Sequence, residues 1–147
     1  MKKIAMILSI LFLIIINGFT GCGITEQEPD GSLILQLEKY SFTPLDTLKG
    51  TLTFTNLTEN TIAYQFGTSC QFGLKIMQGD QIFLEYPGIC LQVLTSLTLK
   101  SGEAKRYQFH LPLIDINNNF LNHGEYTIKA YLLTKNSPGV IKLISIK

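Results

Sequence analysis

Tryptophan is absent from the 147 residues, arginine occurs once, at Arg106, and histidine twice, at His110 and His123. Each shortage excludes something. A single Arg and no basic run leave no electrostatic footprint for nucleic acid, so no nucleic-acid partner is expected. Two histidines leave little material for acid–base catalysis, and the acids are scattered along the chain. The patterns G-x-S-x-G, H-E-x-x-H, G-x-G-x-x-G and the Walker loop are all missing. Zinc would have to be held by Cys70, Cys90, His110 and His123. Their spacings, 19 residues between the cysteines and 12 between the histidines, match no common zinc arrangement. The chain is therefore expected to be no enzyme and to carry no metal or cofactor. No segment keeps a helical period through three turns, which excludes a helix bundle.

What the chain does have is Thr, Ile, Leu, Phe and Tyr in alternation, a composition that favours strands. Leu52 and Phe54 share one face of Gly50–Asn56, with Thr51, Thr53 and Thr55 on the other. Leu33, Leu35 and Leu37 repeat the pattern, as do Ile62, Tyr64 and Phe66, then Phe72, Leu74 and Ile76, and Leu84 and Tyr86. Leu97 and Leu99 lead into Lys100-Ser101-Gly102-Glu103. Tyr107, Phe109 and Leu111 follow, then Tyr126, Ile128, Ala130 and Leu132, and an apolar run over Val140–Ile146. Short strands spaced by turns, with no crossover helices, predict an antiparallel sandwich or barrel. His110 falls on the outward face with Arg106 and Gln108.

The amino terminus reads differently. Lys2 and Lys3 precede thirteen uncharged residues, Ile4–Ile16, of which eleven are Ile, Leu, Met or Phe. A basic start, a short apolar run and small residues before a cut site predict a signal helix over residues 1–21. With Phe19-Thr20-Gly21-Cys22, the segment resembles a bacterial lipoprotein signal. That resemblance implies cleavage before Cys22, lipid on the Cys22 sulfur, and an extracytoplasmic protein anchored to a bacterial membrane. Residues 22–31, rich in acids, Pro and Gly, read as a flexible tether. The domain is then residues 32–147. Without Lys2 and Lys3, ten basic residues face eleven acidic ones, a net charge of −1.

An exported chain can keep a disulfide, and with Cys22 lipidated, Cys70 and Cys90 form an even pair. The alternative is two buried thiols. A hairpin lies between them. A two-residue turn at Gly79-Asp80 would pair Gln78 with Gln81 and set Lys75 against Leu84. A three-residue loop, Gly79–Gln81, instead pairs Gln78 with Ile82. It sets Ile76 against Leu84, Leu74 against Tyr86, Lys75 against Glu85 and Cys70 against Cys90. Register is specified by such agreements, so the three-residue loop is expected. Opposed Cα atoms about 4.5–5.5 Å apart suit a disulfide.

Two patterns carry a further resemblance. Gly124-Glu125-Tyr126, behind Leu121-Asn122-His123, resembles the tyrosine corner of immunoglobulin-like sandwiches, which implies that the Tyr126 hydroxyl bonds backbone near Asn122. The order of parts over residues 33–132 is similar to the BsuPI-type proteinase-inhibitor domain: a strand ending at Asn56, a hairpin at Gln78–Ile82, the Ser101-Gly102-Glu103 turn and the Gly124-Glu125-Tyr126 strand. That family implies an all-β, immunoglobulin-like sandwich and inhibition of intracellular serine proteases. The twelve-residue connection Pro112–His123 is the candidate recognition loop, through Leu113, Ile114, Ile116, Phe120 and Leu121. Long loops in compact domains are often functional, though these side chains would equally cap the core. The expected function is a membrane-anchored envelope lipoprotein whose sandwich binds another protein, a proteinase if inhibition is retained. The alternative is a structural or assembly component of a cell-surface complex.

Overall fold

Every alternating segment of the sequence is a strand, because each has one apolar face to bury. The computed structural model describes residues 30–135 and 137–147. The signal helix expected over 1–21, Cys22 and all of the tether but its last two residues lie outside them. The strands are β1 (Gly31–Leu37), β2 (Ser41–Phe42), β3 (Thr47–Asn56), β4 (Ile62–Phe66), β5 (Phe72–Gln78), β6 (Gln81–Tyr86), β7 (Thr95–Leu99), β8 (Ala104–Pro112), β9 (Gly124–Leu132) and β10 (Gly139–Ile146). β1 therefore takes in Gly31, the last tether position.

The strands form a three-stranded sheet, β1-β3-β8, a five-stranded sheet, β2-β10-β9-β5-β6, and a β4-β7 pair. The architecture is all-β and sandwich-like. It is not wholly antiparallel as expected, because β2 runs parallel to β10, with Ser145 beside Ser41 and Ile146 beside Phe42. Two residues after a turn form too short a strand to show in the alternation, so nothing local predicts that pairing.

One core joins the sheets. β1, β3 and β8 contribute Leu35, Leu52, Phe54 and Phe109, the five-stranded sheet contributes Leu74, Ile76, Ile128 and Ile144, and the β4-β7 pair contributes Phe66, Leu97 and Leu99. Facing residues interdigitate by size. Gly50 lies opposite Phe109 in β8 and Leu37 in β1. A Cβ at Gly50 would come within 2.7 Å of the Phe109 ring, so the missing side chain is what lets that ring in.

The β5–β6 hairpin satisfies both readings of its sequence. Gln78 pairs with Gln81, so the turn has two residues, yet Ile76 pairs with Leu84, Lys75 with Glu85 and Leu74 with Tyr86. A register shift between Ile76 and Met77 absorbs the difference and leaves Phe83 as the extra residue. The three-residue loop is thus corrected: Gly79, at φ +58°, turns the chain in two residues, and a bulge restores the side-chain pairing.

Two polar devices fix the connections. Asn56 is fully buried at the end of β3. Its Nδ2 donates to the carbonyls of Asn60 (2.7 Å) and Leu99 (3.1 Å), and its Oδ1 accepts from the Thr58 amide and hydroxyl. Its own amide donates to Glu103, and its carbonyl accepts from Gly102, whose φ is +72°. One side chain and its backbone so tie the β3–β4 turn to β7 and to the β7–β8 turn. At the other device the buried Tyr126 hydroxyl donates to the carbonyl of Asn122 at 3.0 Å. That is the backbone segment a tyrosine corner would hold.

Candidate functional site

Apolar side chains that the core leaves outside concentrate where β6 gives way to β7. β6 ends at Tyr86, a cis peptide leads to Pro87, and β7 begins at Thr95. Between them Ile89 is 91% exposed, Leu94 82%, Leu91 71% and Val93 49%. No charged residue occurs from Tyr86 to Leu99. An exposed apolar cluster of this kind marks an interaction surface more often than a scattering of single residues does.

The segment is held firmly to the segment before β5. Cys70 and Cys90 are joined by a disulfide, with Cα atoms 5.7 Å apart. β5 starts only at Phe72, so the bridge lies beyond the strand ladder and clamps loop to loop. Next to it, the Ser69 amide donates to the Leu91 carbonyl at 2.9 Å, and the Leu91 amide donates back to the Ser69 hydroxyl at 3.0 Å. The Leu91 carbonyl also accepts from the Val93 amide, which makes a tight turn at Gln92. The Thr95 hydroxyl donates to the Thr68 carbonyl at 2.8 Å. The Leu91 amide and carbonyl are thereby satisfied inside the fold while the aliphatic side chains of the loop stay exposed.

Beside the clamp runs a groove of about 410 Å³, with Cys70, Tyr86 and Pro87 on one wall and Lys105, Arg106 and Tyr107 on the other. Tyr107 is half-buried, and burial pushes its phenol up to about 12. It stays a neutral donor and bonds Gln71 Oε1 at 2.9 Å. Lys105 and Arg106 are exposed at the start of β8 and give this rim a positive character.

The Pro112–His123 connection divides into two parts. Leu113 and Leu121 are buried in the core and Ile114 is half-buried, while Ile116 and Phe120 are exposed. Ile114 and Phe120 form an isolated bridge. Asp115 Oδ1 accepts the amides of Asn117 and Asn119, each at 2.8 Å, which holds its carboxyl below the ordinary range. Asn118 takes a left-handed φ of 66° at the tip. The amide of Ile116 donates to Phe83, so the loop rests on the bulge of β6.

On the outer face of the five-stranded sheet, Lys75 and Glu85 form an ion pair at 3.1 Å. The hydrogen bond that Lys75 donates to Glu85, then the charge of the Tyr131 phenol, raises the Lys75 pKa. The pair offsets the like charge of Lys129, which lies directly opposite Lys75. Catalytic groups do not converge: His110 and His123 are both exposed. No group of three or more His, Cys, Asp or Glu stands together among the described residues.

Fold and surface together define a β-sandwich that offers loops and grooves for contact. The family model of the BsuPI intracellular proteinase inhibitor matches residues 35–137. The chain belongs to that family, whose members are inhibitors and not catalysts. No curated protein matches the sequence. Among solved structures, the alkylpurine DNA glycosylase AlkC of Pseudomonas fluorescens, bound to DNA containing an abasic site analog, is similar over 82% of this chain and 31% of its own, with 6% identity and a TM-score of 0.53. A β-glucosidase of Erythrobacter marinus is similar over 80% of this chain and 16% of its own, at 17% identity and a TM-score of 0.48. The sporulation control protein Spo0M of Bacillus subtilis is similar over 80% and 48%, at 14% identity and a TM-score of 0.48. The chain thus spans less than half the length of each, and at these identities the likeness concerns fold alone.

The family's description as intracellular corrects the reading of the amino terminus. A lipoprotein signal, lipid on Cys22, a membrane anchor and an extracytoplasmic place all conflict with it. The envelope roles built on them, tethered binding and assembly of a cell-surface complex, fall with them. The physical reason lies in the kind of signal. A short apolar run behind two lysines is a compositional pattern, and composition alone does not fix a compartment.

Proposed function

We propose that this chain is a proteinase-binding domain that inhibits by occupying its target, with an immunoglobulin-like sandwich over residues 32–147 as a rigid support. The observation that carries the reading is the family match over residues 35–137, from within β1 to the β9–β10 connection. The immunoglobulin-like reading is supported by the bond from Tyr126 to Asn122. A binder of this kind needs no catalytic groups. It needs a scaffold that holds contact loops still, because ordering them on binding costs affinity. The core and the buried Asn56 network supply that scaffold. The test is inhibition of purified serine proteinases by the full chain, with complex formation followed by size-exclusion chromatography. Inhibition that saturates at one chain per proteinase is the expected result. Full proteinase activity at a large excess of the chain would refute the reading.

A further inference from the structure

We infer that the loop Pro87–Leu94 is the segment that enters the proteinase's active-site cleft, with Ile89 and Leu91 as its anchors. The inference rests on the proposed inhibitory function and names the surface that performs it. A proteinase cleft is concave and binds chain in an extended form, so its complement must be convex, exposed and held in place. The 87–94 loop is exposed and held in place. Ile89 and Leu91 flank the clamped Cys90, are 91% and 71% exposed, and are anchored through the disulfide and the paired bonds to Ser69. Side chains carried on a fixed backbone lose little freedom on docking, and central aliphatic or aromatic anchors dominate such interfaces.

The chemistry of the loop selects the partner. With no charge from Tyr86 to Leu99, it suits an apolar primary pocket and not an acid-lined one. The neighbouring groove, rimmed by Lys105 and Arg106, suits carboxylates on the rim of that cleft. Such charges act mainly on approach rate and specificity. The 113–121 loop is the weaker candidate. Its tip is Asn117-Asn118-Asn119, its Leu113 and Leu121 are spent on the core, and its exposed Ile116 and Phe120 have no disulfide beside them.

The probes are chymotrypsin and subtilisin, whose primary pockets are apolar, and trypsin, whose pocket holds an Asp. The full chain should inhibit one or both apolar-pocket enzymes at least about tenfold more tightly than trypsin, about one decade of binding constant. Ile89→Asp and Leu91→Asp should each weaken inhibition about 30-fold or more, the loss typical of a central anchor. Both sites are exposed, so the thermal midpoint should stay within about 2 °C of the parent. Ile89→Leu should retain inhibition, and Ile116→Asp should leave it unchanged. If the parent inhibits none of the three enzymes, the proposed function itself fails. If the parent inhibits and both Asp variants inhibit equally well, the function stands and this loop assignment is overturned. Loss of inhibition on Ile116→Asp alone would move the contact to the 113–121 loop and overturn it too.

Discussion

Replacing Asn56 by Ala removes the one fully buried polar side chain that the core contains among the described residues. Four bonds go with it: two donated, to the carbonyls of Asn60 and Leu99, and two accepted, from the amide and hydroxyl of Thr58. The partners at Thr58 and Asn60 lie near the surface and can turn to water, so their loss is worth less than about 1 kcal/mol each. The Leu99 carbonyl cannot. It is buried 43 residues away in sequence, and a buried acceptor stripped of a partner costs about 1–3 kcal/mol. The total comes to about 3 kcal/mol, which lowers the thermal midpoint of a domain of this size by about 10 °C. Circular dichroism melts of the full chain measure it. A fall below about 3 °C would show that the amide is not what joins the turns.

Asn56→Asp sharpens the test by adding a sign. The carboxylate keeps both bonds from Thr58 but faces two carbonyl oxygens in place of the two it replaced. Burial and those dipoles disfavour its charged form, so its folded pKa is raised above the unfolded value of about 3.9. The folded state then binds the proton more tightly. The destabilisation is fully present above the folded pKa and is relieved as pH falls through it. Stability of Asn56→Asp relative to Asn56→Ala should therefore improve on acidification. Parallel pH profiles for the two variants would refute the geometry.

Two further outcomes follow from the cysteines and from Asp115. The disulfide joins residues 20 apart, and chain-entropy bookkeeping values closing such a loop at roughly 3 kcal/mol. The denaturation midpoint should fall alike on reduction, in Cys70→Ser and in Cys90→Ser, and an unchanged midpoint would show that the bridge contributes nothing to folding. For Asp115, the amides of Asn119 and Asn117 hold the carboxyl pKa below its ordinary 3.8. Its contribution is present above the unfolded pKa and lost as pH falls through the depressed folded value. A carbon-detected NMR titration of Asp115 with a midpoint at or above the ordinary value would remove that contribution.

The local alternation of the sequence determined much of the fold. Side chains two apart share a face, so each apolar series found its strand, and the pairing of Leu74, Lys75 and Ile76 with Tyr86, Glu85 and Leu84 followed from matching faces. The turn chemistry of Gly79-Asp80 was also legible, but reconciling it with that register took a bulge at Phe83. Whether a bulge costs less than a mismatch is settled by packing across the sheet. The bond from Tyr126 to Asn122 spans four residues and was equally legible.

What the sequence could not decide was which apolar residues stay outside. Ile89, Leu91, Val93 and Leu94 form as good an apolar run as Val140–Ile146, where Ile144 and Ile146 are buried but Ile141 and Leu143 are not, and nothing local separates the buried Leu113 from the exposed Ile116. A missing charge between Glu85 and Lys100 was the available sign of the 87–94 loop, and it does not distinguish core from contact surface. The distinction comes from partners distant in the chain. Ser69 and Cys70 pin Leu91 and Cys90 from about twenty residues away, and Phe83 carries the loop at Ile116. Burial depends on what the rest of the fold brings against a side chain, and only the tertiary structure holds that information.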